Sequence, residues 1–481
     1  MTAAASAATE AESQSTGFGA RGYRRYVLGA LTLIYVINFV DRGLLAVVGP
    51  DLVPDLGISD TQFGLLTGFG FALLYTVVGI PLARFADVAH RVWIMIVCVA
   101  LWSLMTALCG LATEVTVGSL TIGAFWILLA CRVGVGIGEA GCTPPANSLI
   151  ADYYAPRDRS QALGVYSMGV TLGTMVANLI GGWVVDAFDW RTAFFVVGLP
   201  GLLIAVVFKL TVREPPRGYT DPAGTERKER VELREAIREL TSKPAFWLMT
   251  GGATIAAFCG YGISSFQSLF LVRTHGITAG EAAIWINAPV AFSAAIGTFA
   301  TGWLATRVYL KYPGAIAWIP ALGLALSIPF YLFAFTTPKL PFAAAGLIIG
   351  GFVKYGYVTA QYTIGQGVVS MRVRAMATAV LLFVANLIGY GFGPLFIGAI
   401  SDLFFADGTA DLGIAAGELS RNQCHPSAVG ELSVGLQSVC GQVYAQSLQS
   451  AMVIMACLYA VGTLFFLLTW RRLGKDMVDR N

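Results

Sequence analysis

Five ionisable side chains stand inside long apolar stretches of this 481-residue chain: Asp41, Arg42, Arg132, Glu139 and Lys354. A charge at the centre of a lipid bilayer costs a few kcal/mol even on lenient insertion scales, so each of the five calls for a partner and a task. Arg132 and Glu139 are seven residues apart, close to two helical turns. A helix therefore carries both on one face, about 10 Å apart along its axis. Asp41 and Arg42 are neighbours and diverge by roughly 100° on a helix, so one can face a cavity while the other pairs with an adjacent helix. A carboxylate beside arginines in a low-dielectric cavity exchanges protons when a conformational change breaks and remakes its ion pair. Asp41 and Glu139 are therefore the candidate proton carriers. Arg42, Arg132 and Lys354, with Asn38, Tyr355 and Tyr357, form the candidate charge and substrate network. Three cations outnumber two carboxylates, a surplus that favours an anionic headgroup. The competing reading is a set of static ion pairs that fix helix positions.

The elements that must position these groups follow from hydropathy. The chain is 56% hydrophobic and 12% charged, with a mean hydropathy of +0.70, so its apolar surface needs lipid as solvent. Apolar runs recur near 26–48, 61–84, 91–112, 121–150, 160–187, 193–212, 245–271, 281–305, 314–335, 341–368, 376–403 and 446–470. Each is long enough to cross roughly 30 Å of hydrocarbon as a helix. Barrel strands would alternate apolar and polar residues, whereas Leu65 to Leu82 is almost uniformly apolar. The fold class is all-α, with twelve transmembrane helices. Basic residues concentrate in the N-terminal tail, every second loop, the central loop and the C-terminal tail. That bias predicts a multi-pass protein of the cell (inner) membrane with both termini cytoplasmic.

The halves match when slid by 219 positions: Gly57-Ile58-Ser59 falls on Gly276-Ile277-Thr278, and Ala83 to Ala86 on Gly302 to Ala305. Arg157 and Arg159 match Arg372 and Arg374 at an offset of 215, and Asp186 matches Asp402 at 216. A second match, VANLIG at 176–181 and 384–389, has an offset of 208, breaks the register by about two turns and is coincidence. The expected organisation is a disordered cytoplasmic tail (1–24), a six-helix bundle (25–212), a linker with an amphipathic helix near Glu226 to Leu240 (213–244), a pseudo-symmetric second bundle (245–473) with an external loop (404–445), and a C-terminal tail (474–481). Such a repeat is a transporter plan, with the substrate site near the midplane between repeats. The glycines Gly134, Gly136 and Gly138 suit close helix packing rather than dinucleotide binding, and Pro144 and Pro145 are placed to kink or loosen the end of the fourth helix. Of eight cysteines, only Cys424 and Cys440 fall in the long external loop, where a disulfide is possible. The three histidines, His90, His275 and His425, all fall in predicted loops, and no nucleophile or metal constellation is present. The expectation is a monomeric non-enzyme with no metal, no cofactor beyond protons as coupling ion, and no nucleic-acid partner.

The segment Ala83-Arg84-Phe85-Ala86-Asp87-Val88-Ala89-His90-Arg91 resembles the G-x-L-A-D-R-x-G-R signature of the major facilitator superfamily, with a second copy ending at Arg307. The resemblance implies that Arg84, Asp87, Arg91 and Arg307 form a cytoplasmic gate. Asn38 to Arg42 (N-x-x-D-R) and Arg132 to Ala140 (R-V-G-V-G-I-G-E-A) are similar to the Spinster lipid transporters. That resemblance implies a proton-coupled carrier of sphingosine-1-phosphate, lysophospholipids or related amphiphiles, working by alternating access among membrane lipids. Organic anion symporters of the superfamily also carry an Arg followed by G-E-A, so a proton-coupled symporter of small organic anions is the alternative.

Overall fold

A computed structural model describes residues 17–117, 120–220, 233–309, 311–312, 314–411, 423–424 and 434–477. Twelve helices are long and apolar enough to cross a membrane: α1 Arg21–Leu56, α2 Asp60–Ala86, α3 Arg91–Cys109, α4 Ala124–Tyr153, α5 Pro156–Ala187, α6 Trp190–Thr211, α7 Pro244–His275, α8 Ala279–Ala305, α9 Ala315–Thr336, α10 Leu340–Gly367, α11 Arg374–Ala410 and α12 Gln437–Asp476. The fourth span starts later than its apolar run suggests. Val115–Val117 (β1) and Leu120–Ile122 (β2) form a short antiparallel pair, because alternating Val, Thr and Ile suit a pleated surface better than a first helical turn. The last span starts earlier, since its first turns bury Cys440 and Tyr444 in a cluster with Phe405 and Cys424.

Two compact units emerge, and their boundary does not follow the sequence halves. Of the described residues, the first unit holds those within Met1–Leu44, Leu73–Ala177 and Arg191–Arg230, and the second those within Leu45–Ala72, Asn178–Trp190 and Val231–Asn481. The second unit thus takes in the segments 45–72 and 178–190, where a simple 25–212 bundle was expected. Glycine is the physical reason. A Cβ on Gly64 would meet the Pro394 carbonyl oxygen at 2.4 Å, and one on Gly280 would meet the Gly182 carbonyl oxygen at 2.5 Å, so α2 meets α11 and α5 meets α8 at backbone distance.

The repeat is visible in backbone detail. Gly57 and Gly276 both turn with positive φ, 64° and 67°, which favours glycine. Two residues on, Ser59 with Gln62 and Thr278 with Glu281 form capping boxes at the starts of α2 and α8. Both helices then carry a π-wound stretch, Leu65–Phe69 and Ala282–Asn287. A third, Ala385–Phe392, lies in α11. The first VANLIG copy is regular helix within α5, whereas most of the second lies in this π-wound stretch, in keeping with the register argument. Leu233–Thr241 forms a short linker helix that buries Ala236 and Leu240 and leaves Ile237 exposed; the rest of the expected amphipathic segment, 226–232, lies outside the described residues.

Candidate functional site

In the first unit, α4 runs unbroken from Ala124 to Ala140, stops at Gly141, whose N–H bonds the Glu139 carbonyl, and restarts at Thr143 with prolines in its first turn. Glu139 therefore sits in the last turn before a break. Its glycines bring α3 close. A Cβ on Gly134 would lie 2.6 Å from Met105, and one on Gly138 would lie 2.8 Å from Trp102. Thr106 on α3 thereby reaches Asp41 on α1, donating to its Oδ2 at 2.8 Å.

Around these helices four of the five predicted charges come together. Arg42 Nε lies 2.5 Å from Glu139 Oε2, and Arg132 Nη1 lies 3.5 Å from Asp41 Oδ1. Asp41 and Glu139 are 1% exposed and Arg132 is fully buried. The Arg42 guanidinium lies over the rings of Phe39 and Tyr75, 4.9 and 4.5 Å from their centroids. Asn38 is buried one turn before Arg42, and its amide nitrogen has no hydrogen-bond partner among the described residues. Within this cluster two cations face two carboxylates, but the hydrogen bonding is incomplete: Glu139 Oε1 also lacks a partner among the described residues. Buried ion pairs repay their desolvation only when the remaining lone pairs and protons are satisfied. An incompletely satisfied network of this kind changes protonation and partners at low cost compared with a saturated one.

Lys354, Tyr355 and Tyr357 belong to the second unit. The fifth charge closes the first part of α10, which breaks at Tyr355 and resumes at Gly356. Lys354 is 5% exposed and forms no ion pair among the described residues. Its Nζ lies 4.9 Å from the Tyr355 ring centroid and 5.4 Å from that of Tyr331.

The signature residues separate in role. Arg84, Asp87 and Arg307 are exposed, with Arg307 stacked on Trp303 at 4.1 Å. Arg91 is 1% exposed. It binds Asp152 and Glu214 at 2.5 and 2.6 Å, the Ser148 hydroxyl at 2.9 Å and the Pro215 carbonyl at 2.8 Å. It anchors the start of the linker under α3 and α4. Arg217 donates to the Ala86 and Ala89 carbonyls, and Thr220 to that of Ala151 at 2.6 Å.

Several polar residues that hold helix ends in the second unit have no clear signature in the sequence. Asp60 is fully buried, with Arg273 Nη2 and Nη1 on its two oxygens at 2.7 and 2.8 Å and the Ser401 hydroxyl at 2.6 Å. Arg273, two residues past the apolar run 245–271, lies within α7, with its guanidinium 3.9 Å from the Tyr444 ring centroid. Asp402 accepts from the backbone N–H groups of Asp60 and Thr61 at 3.1 and 3.0 Å. Asp186 does the same at the repeat-related position, accepting from Gly280 N–H and the Thr278 hydroxyl at 2.9 and 2.7 Å. Each half thus caps a helix of the other. The available signals were the capping boxes and the Asp186 and Asp402 match. The nearby disulfide joins Cys424 to Cys440, with Cα atoms 5.0 Å apart.

A sequence model of the Major Facilitator Superfamily matches residues 31–394. An MFS-type efflux pump of Mycolicibacterium smegmatis is 30% identical over 389 residues, covering 81% of this chain and 86% of that protein. Protein spinster of Drosophila melanogaster is 26% identical, covering 94% of this chain and 77% of its own length. A crystal structure of a bacterial homolog to the human lysosomal transporter Spinster, inward-facing and unoccupied, aligns with a TM-score of 0.87 at 41% identity over 96% of this chain and 100% of that one.

Proposed function

We propose that this chain, which belongs to the Major Facilitator Superfamily and within it to the Spinster family of transporters, carries an amphiphilic, lipid-like substrate and couples its movement to protons by alternating access. It is a transporter and not an enzyme. The observation that carries the proton reading is the buried pairing of Arg42 with Glu139 and of Arg132 with Asp41. A proton taken up by Glu139 cancels the charge that holds Arg42. The guanidinium, still seated on Phe39 and Tyr75, is then free to meet an anionic or zwitterionic headgroup. Loss of the proton restores the pair and releases the headgroup, so proton and substrate are linked through a shared arginine. Asp41 and Arg132 form the second, more deeply buried stage of the same relay.

The lipid class, sphingosine-1-phosphate or lysophospholipids, follows from the Spinster kinship and from an arginine framed by aromatic rings. The cell membrane, cytoplasmic termini and a monomer needing no cofactor but protons complete the reading. Arg and Lys placement supports the orientation, which puts Asp60, Arg273 and the disulfide on the external side.

Proteoliposomes under an imposed pH gradient test it, with lysophospholipids, sphingosine-1-phosphate and small organic anions as substrates. Gradient-driven uptake of the lipids is expected, and Glu139→Gln and Asp41→Asn are expected to abolish the dependence on the gradient. Intact gradient-driven transport in both variants removes the proton role. Uptake confined to small organic anions replaces the lipid reading.

A further inference from the structure

The first unit balances its buried charges internally, whereas Lys354 in the second unit does not. Three observations locate what it faces. Lys354 is buried without a carboxylate among the described residues, beside the rings of Tyr331 and Tyr355. Tyr459 on α12 is fully buried, and its hydroxyl has no hydrogen-bond partner among the described residues. Its ring is held by stacking on Tyr331, at 5.9 Å and 17°. The third observation joins the two. A Cβ built on Gly260 of α7 would lie 3.7 Å from Lys354 Nζ and 3.7 Å from Tyr459 Oη, with no other atom within 4 Å. A cation and a hydroxyl with no partner among the described residues therefore converge on Gly260, where α7 presents no side chain.

Rings alone do not repay the burial of an ammonium group, and an unbonded buried hydroxyl is a further loss. Both deficits are removed by one ligand: an anionic oxygen that accepts from Nζ and from Oη at once. We propose that Lys354 and Tyr459, over Gly260, form an anion-binding subsite for a phosphate or carboxylate headgroup. Tyr331 and Tyr355 orient the ammonium, and Gly260 leaves the room. The assignment rests on the reading of the chain as a carrier of anionic amphiphiles, and it adds at Lys354 a contact for negative charge that does not depend on releasing an arginine from its carboxylate.

Binding measured apart from transport tests it. Full-length protein in nanodiscs is titrated with oleoyl-lysophosphatidate, oleate and the uncharged monoolein, with inorganic phosphate as competitor. Lys354→Met is expected to weaken the phosphate lipid and oleate at least tenfold, or about 1.4 kcal/mol. Tyr459→Phe, which keeps the ring stack and the fold, weakens them about threefold to tenfold, Lys354→Arg recovers part of the loss, and monoolein is unchanged. Competition by inorganic phosphate in the wild type but not in Lys354→Met shows that the headgroup alone occupies the subsite; no competition shows that the lipid anchor is needed, and the proposal holds provided the charge discrimination persists. Equal weakening of charged and uncharged probes, or none in either variant, overturns it. Gradient-driven transport in proteoliposomes is read separately: its absence with Lys354-dependent binding intact removes the coupled-carrier reading and leaves the subsite.

Discussion

Replacing Arg273 with methionine removes the guanidinium that forms two hydrogen bonds to the buried Asp60 carboxylate. Asp60 is fully buried, and Arg273 brings positive charge to it through two parallel bonds at 2.7 and 2.8 Å. An exposed ion pair of this type contributes about 0–1 kcal/mol; breaking a buried one costs about 3–5 kcal/mol, because the survivor keeps its desolvation penalty. The Ser401 hydroxyl remains on Asp60 at 2.6 Å and softens the loss, which places the expected value near the lower end, about 3 kcal/mol. At 1.4 kcal/mol per tenfold, local opening becomes roughly 100-fold more frequent. Hydrogen exchange reads that opening directly where reclosing is fast. Amides at the start of α2 and the end of α7 should exchange roughly 100-fold faster in Arg273→Met, and those in α3 should not change. Asp60→Asn paired with Arg273→Met should recover most of the protection, since both charges are then gone. Acceleration below about fivefold, equivalent to about 1 kcal/mol, or a double variant as damaged as the sum of the singles, refutes the argument.

Removing the crossed caps should act in parallel. Asp402→Ala and Asp186→Ala each lose a side-chain cap worth about 0.5–2 kcal/mol, so exchange should rise at the start of α2 in the first and of α8 in the second, and an effect at the wrong helix rejects the assignment. Arg91→Gln should release the linker, since Arg91 binds both Glu214 and the Pro215 carbonyl; limited proteolysis should then cut within 213–232 several-fold faster, and unchanged cutting argues against the anchor. Loss of the disulfide in Cys424→Ser frees a loop of sequence separation 16, about 3 kcal/mol for a loop of that size, and should raise exchange around Phe405 and Tyr444; labelling of both thiols in unreduced membranes disproves the bond.

How much of this was legible in the sequence depends on what each residue signals. Long apolar runs, the glycines of α4 and the charges inside spans are local properties, and Asp41, Arg42, Arg132 and Glu139 were found together because lipid makes each of them expensive. Asp60 and Arg273 escaped notice because they sit at helix ends, where a polar residue is ordinarily solvated; only the packing of Tyr444 and Ser401 around them removes water. Arg91 was assigned to a gate by its motif, but its burial comes from Asp152 and Glu214, which lie 61 and 123 positions away. Tyr459 carried no signal at all. A tyrosine in an apolar helix is unremarkable until its hydroxyl proves to be unbonded.

The internal repeat separates two kinds of residue. What appears in both copies is structural: left-handed glycines at Gly57 and Gly276, capping boxes at Ser59 and Thr278, π-wound stretches in α2 and α8, and aspartates at Asp186 and Asp402 that cap the partner repeat's helix. Two copies of one scaffold must satisfy the same backbone groups, so the residues that do this recur. Chemistry is where the copies part. The second repeat contains no Asp-Arg pair to match Asp41 and Arg42, and the first has no lone lysine ringed by tyrosines. With paired charges in one unit and, in the other, a lysine that meets no carboxylate among the described residues, the two copies of one scaffold carry different chemistry.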